Sequence, residues 1–253
     1  MASPHQGLFV WHDLMTTDPG KAASFYGSLF DWQMKDEKLG DGTYTMIMNS
    51  GRGIGGMNAH DPARGGPSHW MCHVLVGDIE ATVRETKRLG GAIVLPATEI
   101  PGVGWFAVLK DPQGAHISTF QERPGSPEDW ELPMGPGTFC WHELLARDPG
   151  RAIEFYCGLF GWTHSQQEMG ELGTYHMFHR GDAFAGGMLA MPAGSDGPSA
   201  WLPYVYVTDL ERAVAQTTRL GGQVCVPPTI VPGVGHFAVA TDPTGAYFAH
   251  FSE

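Results

Sequence analysis

The 253-residue chain repeats itself once from end to end, and that duplication restricts its fold more than any other feature. Phe9-Val10-Trp11-His12-Asp13-Leu14 returns 130 residues later as Phe139-Cys140-Trp141-His142-Glu143-Leu144. Asp18-Pro19-Gly20 and Phe25-Tyr26 return as Asp148-Pro149-Gly150 and Phe155-Tyr156. From Pro67 onward the offset is 131, through Arg88-Leu89-Gly90-Gly91, Pro101-Gly102-Val103-Gly104 and Asp111-Pro112. A register held this long marks duplication of a whole domain, not the short period of a solenoid. Positions at which the copies differ are then the places to look for function.

Composition narrows the function classes. A formal net charge of -12 disfavours nucleic acid, whose phosphates need clustered Lys and Arg, and disfavours anionic membrane surfaces equally. Residues 1–7 show no secretory signal pattern, and no apolar run approaches the ~20 residues of a membrane-spanning helix. Cys72, Cys140, Cys157 and Cys225 form no CxxC pair and read as reduced, packed thiols. A soluble cytoplasmic protein, monomer or homodimer, is the expectation.

Within each half the same grammar occurs twice. Strands are expected at Leu8–Met15 and Trp70–Val76. Asp18 is a good N-cap with Pro19 at the first helical position, and Ala22, Phe25, Tyr26, Leu29 and Phe30 follow at helical spacing. Asp78 caps a second helix that presents Ile79, Val83, Thr86 and Leu89 and stops at Gly90-Gly91. Short strand-like runs follow at Tyr44–Asn49, Ile93–Pro96, Trp105–Leu109 and His116–Phe120, the last two joined by the Asp111-Pro112-Gln113-Gly114 turn. Each unit is therefore strand, helix and about three strands, an α+β pattern repeated four times. The Pro-, Gly- and Glu-rich run between the halves gives domains at 7–124 and 137–253 with a linker at 125–136.

The βαβββ grammar, the Asp-x(6)-Phe-Tyr helix, the Leu-Gly-Gly stop and the Asp-Pro-x-Gly turn together resemble the vicinal-oxygen-chelate superfamily. That superfamily includes glyoxalase I, bleomycin-resistance proteins and extradiol dioxygenases. The resemblance covers almost the whole chain twice. It implies four βαβββ modules paired into two open-barrel domains, each with a concave cup. It specifies fold far more than function, because the superfamily holds isomerases, dioxygenases, lyases and plain binders.

Metal enzymes of the superfamily draw His, Gln or Glu ligands from the first and last strands of each unit. The matching positions here are Trp11, Ser118, Trp141 and Ala249, with Met71 and Leu202 in the second units. This is no metal set, so no metal and no ordinary glyoxalase I turnover is expected. A displaced alternative is Asp13, His73 and His116, which share the cup parity and would make a two-His, one-carboxylate triad for a divalent metal. The competing reading makes these histidines ordinary polar wall residues. The second half has Glu143, Tyr204 and Tyr247 there, so only the first cup could qualify. His12, His142 and His250 fall on the opposite face and read as packed core. His236, matched to Trp105, is a candidate general base if it lies on the cup side.

No GxSxG elbow, P-loop or dinucleotide fingerprint is present in context; Gly51-Arg52-Gly53-Ile54-Gly55-Gly56 lacks the Lys and the following helix. The Pro-Gly-Val-Gly segments read as rim loops. The ligand wall expected by parity comprises Trp11, Asp13, His73, Trp105 and His116 in the first cup, and Trp141, Glu143, Tyr204, His236 and Tyr247 in the second. Aromatic walls with one carboxylate suit a planar or partly apolar small molecule. Two classes of function follow. One is a metal-independent small-molecule binder of the bleomycin-resistance type. The other is an enzyme (lyase, isomerase or hydroxylase-pathway protein), metal-free or using the displaced triad, with Asp13, His73, His116 and His236 as catalytic candidates.

Overall fold

Four aspartates set the frame. Asp18, Asp78, Asp148 and Asp209 each turn a carboxylate back onto the amide three residues ahead, satisfying a backbone donor that the helix itself leaves open. The computed structural model describes residues 5–39, 42–61, 63, 66–125, 130, 134–170, 173–192 and 194–253. Of the linker expected at 125–136, residues 126–129 and 131–133 lie outside the described residues.

The four modules run in order. The first is β1 (Phe9–Thr16), α1 (Pro19–Phe30), β2 (Gln33–Leu39), β3 (Gly42–Asn49) and β4 (Arg52–Ala59). The second is β5 (His69–Leu75), α2 (Ile79–Arg88), β6 (Ala92–Ile100), β7 (Gly104–Lys110) and β8 (His116–Glu122). The third is β9 (Phe139–Ala146), α3 (Pro149–Phe160), β10 (Thr163–Glu168), β11 (Thr174–Arg180) and β12 (Ala183–Ala190). The fourth is β13 (Ala200–Tyr206), α4 (Leu210–Arg219), β14 (Gln223–Val231), β15 (Gly235–Thr241) and β16 (Tyr247–Ser252). Two mixed, eight-stranded sheets result, ordered β2-β3-β4-β1-β5-β8-β7-β6 and β10-β11-β12-β9-β13-β16-β15-β14. Both are open, with β2, β6, β10 and β14 at the edges. The α+β class and the four-module plan read from the sequence are those of the structure.

Packing divides the chain along different lines from the sequence repeat. One compact unit comprises Met1–Val10, Cys72–Glu131 and His142–Trp201. In its core α3 lays Phe155, Tyr156 and Leu159 with Cys72, Val74, Ile79, Leu109 and Ile117. The other unit comprises Trp11–Met71, Leu132–Trp141 and Leu202–Glu253. There α1 supplies Ala22, Phe25 and Tyr26 to a core shared with Val205, Leu210, Ala238 and Phe248. Each unit thus contains one helix and one set of strands from each half of the sequence.

The repeated motifs interlock inside these units. Tyr156, fully buried, accepts from Trp201 Nε1 at 2.9 Å and donates to Asp111 Oδ2 at 3.1 Å. Asp111 Oδ1 meanwhile accepts from the amides of Gln113 and Ala115, both at 2.8 Å, closing the Asp-Pro-Gln-Gly turn. In the second unit Trp70 Nε1 donates to Tyr26 at 3.0 Å, and Asp242 faces the same hydroxyl. Burial raises both tyrosines well above the ordinary phenol range, and the facing carboxylate adds to the shift. Each therefore remains a proton donor.

Candidate ligand-binding site

Strand alternation sorts every candidate onto one of two faces. In β1, His12 and Leu14 point into the helix-packed side, so Trp11 and Asp13 stand on the helix-free side. Tyr44, on β3, reaches across the intervening β4 to join them. Its hydroxyl donates to Asp13 Oδ1 at 2.6 Å and accepts from Trp11 Nε1 at 2.8 Å. The reach is permitted by Gly56, which pairs with Asp13: a Cβ there would sit 1.8 Å from Tyr44 Oη. A Cβ at Gly53 would meet the Trp11 ring at 3.2 Å. Gly53 and Gly56 therefore serve close approach of the Trp11 and Tyr44 rings over strand β4. Burial is the main cause, followed by the Asp13 charge, that raises Tyr44 far above the usual phenol range. It acts as a fixed donor and not as a base.

The third module repeats the arrangement. Tyr175 on β11 donates to Glu143 Oε2 at 3.0 Å, across β12 where Gly187 pairs with Glu143. Glu143 is buried. Tyr44 and Tyr175 are functional candidates that strand patterns alone do not reveal. A usable signal was their retention at matched positions of both copies, 131 residues apart, together with Gly56 and Gly187.

His73 stands on the helix-free side of β5, 5% exposed, against Phe106 at 6.3 Å between ring centroids. Its counterpart Tyr204 packs on Phe237 at 6.1 Å, in an apolar patch with Trp141, Leu202 and Ala249. His116 and Tyr247 begin β8 and β16 and are both exposed on that side. Among the described residues, no three-donor group of His, Cys, Asp and Glu close enough to hold an ion includes Asp13, His73 or His116.

Two expectations are corrected. Trp105 and His236 are not on the helix-free face. Directly opposed residues of antiparallel strands share a face, and Phe106 opposes Phe120 while Val108 opposes Ser118. Phe106 and Val108 therefore occupy the side assigned to Trp105, which instead alternates with the buried Ala107 and Leu109, packs on the helix-side core and receives Arg123 over its ring at 5.4 Å. His236 likewise alternates with buried Ala238 and Ala240 and is exposed, leaving Phe237 on the helix-free side. Neither is placed to act with Asp13 or Glu143.

The family metal positions hold unsuitable donors. Trp11 Nε1 is a hydrogen-bond donor, Trp141, Leu202 and Ala249 offer no lone pair to a cation, and Met71 offers only a thioether. The Ser118 hydroxyl is fully buried and donates to Ala107 O at 3.1 Å. This donor set does not fit a divalent ion. His12 and His142 are buried and stack on Phe139 (3.6 Å) and Phe9 (3.8 Å), respectively, as packed core. Two surface clefts, of about 830 and 320 Å³, lie beside the starts of α2 and α4; neither contains Trp11, Asp13, His73 or their counterparts.

Comparison with known proteins agrees with this fold. The model of the Glyoxalase/Bleomycin resistance protein/Dioxygenase superfamily matches residues 8–119 and 139–249. A relative called "Putative glyoxylase CFP32", from Mycobacterium tuberculosis (strain CDC 1551 / Oshkosh), is 34% identical over 96% of this chain and 94% of its own. "Anthracycline biosynthesis protein DnrV" from Streptomyces peucetius is 27% identical over 96% and 92%. Among solved structures, an Mn(II)-bound glyoxalase from Novosphingobium aromaticivorans aligns with a TM-score of 0.68 at 12% identity, covering 100% of this chain and 83% of that one. The 2,3-dioxygenase LapB from Pseudomonas sp. KL28 aligns with a TM-score of 0.65 at 14% identity, covering 97% and 92%. At such identities the structural likeness establishes the fold alone.

Proposed function

The chain belongs to the Glyoxalase/Bleomycin resistance protein/Dioxygenase superfamily, and within it we propose a metal-independent binder of planar, partly apolar small molecules. The observation that carries the reading is the tyrosine–carboxylate pair laid over a glycine, Tyr44–Asp13 and again Tyr175–Glu143. A carboxylate whose one oxygen is already held by a phenol keeps a fixed direction and suits a cationic or donor group on the ligand. Trp11 beside it, and the half-buried Trp141 in the second half, offer flat apolar area for a ring system. The chain carries two such pairs, one in each half of the sequence. Four free thiols suit a reducing cytoplasm. One relative is named an anthracycline biosynthesis protein, and the planar polycyclic nature of anthracyclines is compatible with this ligand class.

The test is a Trp-fluorescence titration with proflavine, a planar cation, against anthraquinone sulfonate, a planar anion. Proflavine is expected to bind more tightly, and Asp13→Asn to weaken it roughly tenfold, the scale of one charge-assisted hydrogen bond. Equal affinity for both dyes, or an unchanged affinity in Asp13→Asn and Glu143→Gln, would refute the proposal. A second reading, a metal-free lyase or isomerase at the first face, is favoured by the asymmetry that sets His73 where the other copy has Tyr204. Mass spectrometry of a ligand recovered unchanged after incubation supports the binder; a product lost in His73→Ala supports the enzyme.

A further inference from the structure

Three histidines of the third module have no counterpart in the first: His164, His176 and His179 stand where Met34, Thr45 and Met48 stand. They lie on the hairpin of β10 and β11, at the edge of its sheet. His164 opposes Phe178 and His176 opposes Gln166, so the two histidines are diagonal neighbours on one face. That face is the helix-packed one, since Phe178 belongs to its core. His164 Nε2 and His176 Nδ1 approach to 2.9 Å, with ring centroids 5.1 Å apart. His179 sits on the other face and turns its Nε2 to Ser165 Oγ at 2.7 Å.

We propose that His164 and His176 are the two protein ligands of a divalent transition-metal site distinct from the helix-free face. Two imidazole nitrogens 2.9 Å apart subtend about 90° at an ion with metal–nitrogen bonds of about 2.05 Å. A right-angled pair matches a tetragonal or octahedral ion such as Cu²⁺ or Ni²⁺, whereas tetrahedral Zn²⁺ needs the nitrogens spread to roughly 3.3 Å. Glu168 follows Gln166 on the same face of β10, opposite Thr174, whose hydroxyl holds Glu168 Oε1 at 2.8 Å. Its charge acts on His176. Burial first, and the neighbouring histidines next, hold His164 below the ordinary imidazole range, and burial lowers His176 as well. An ion would take the lone pairs of the two facing nitrogens once the hydrogen between them has moved to the outer nitrogen of its own ring, so that both imidazoles stay neutral. Bound there, it would tie the sheet's edge hairpin together.

Tag-free, chelator-treated protein titrated calorimetrically with NiCl₂ tests the site. One equivalent should bind, with loss in H164Q and in H176Q, weakening in E168Q and no change in H179Q. Cu²⁺ loaded at one equivalent should show two nitrogen donors in its electron paramagnetic resonance spectrum, reduced to one in either histidine variant. Circular dichroism identifies any variant that has lost its fold, and the single-copy replacements H164M and H176T, which restore residues of the first module, give a second pair. Absence of Ni²⁺ and Cu²⁺ binding, or binding unaltered in folded H164Q and H176Q, overturns the assignment.

Discussion

His250 makes the stability of this protein depend on acid. The ring is fully buried on β16, and its Nε2 lies 2.9 Å from Thr217 Oγ1. That hydroxyl donates to Ala213 O, so the imidazole donates and its proton sits on Nε2. Nδ1 has no hydrogen-bond partner among the described residues, and protonating it would bury an unpaired charge. Burial accordingly pushes the ring down to about 4 from 6.5. With the folded value depressed, the unfolded chain takes up the proton first. Stability is full above about pH 6.5 and is lost as pH falls toward 4, by roughly 3 kcal/mol at about 1.4 kcal/mol per pH unit. Urea unfolding between pH 7 and 4.5 should show this slope in wild type and a flatter one in His250→Gln. Gly56→Ala is the sharpest local perturbation. Its new Cβ would collide with the Tyr44 hydroxyl, and overpacking plus two lost hydrogen bonds should cost about 2–3 kcal/mol. An unfolding midpoint equal to wild type would contradict the geometry. The face taken by Trp11 and Asp13 was legible in the sequence, because strand alternation puts both opposite the buried His12 and Leu14. Tyr44 was not, because its role depends on a span over a bare strand. Trp105 and His236 were misplaced because one parity step, set by the Asp-Pro turn, sends them to the other face.

At the scale of elements, the helices were read closely and the edge strands were not. An Asp-Pro or Asp-apolar start fixes a helix by local chemistry, and the structure begins all four where the caps stand. Asp18→Ala should therefore cost about 1 kcal/mol in chemical denaturation, while Lys38→Ala on the edge strand β2 should stay within about 0.5 kcal/mol. Strand β2, Gln33–Leu39, carries Lys35, Asp36, Glu37 and Lys38 and has no apolar alternation to betray it. Charges of this kind suit an unpaired sheet edge, and that role is invisible without the sheet order. Strand β6 runs past Pro96 to Ile100, because two register shifts at an edge accommodate a residue with no amide to donate.

The whole molecule is where sequence reading was weakest. A duplication suggests two halves, each folding by itself around its own core. The cores instead combine modules from different halves: Tyr156 of the second half is held by Asp111 of the first, and α1 packs with Phe248. Strand periodicity carries no information about which apolar faces will meet, so sequence alone leaves this open. Residues 1–124 expressed without the rest should consequently fail to form a folded monomer, and should aggregate or self-associate with a second copy supplying the missing face. Sedimentation of a well-folded monomeric half would refute this. Co-expressed with residues 137–253, the first half should instead copurify as a one-to-one complex. The same pairing has a consequence for how such a chain can change over generations. A protein built from two identical subunits must accept every substitution in both at once, whereas here each copy mutates alone inside a shared scaffold. His73 opposite Phe106 and Tyr204 opposite Phe237 are two outcomes of that licence: one ancestral position, released to explore separate chemistries while its twin keeps the structure standing.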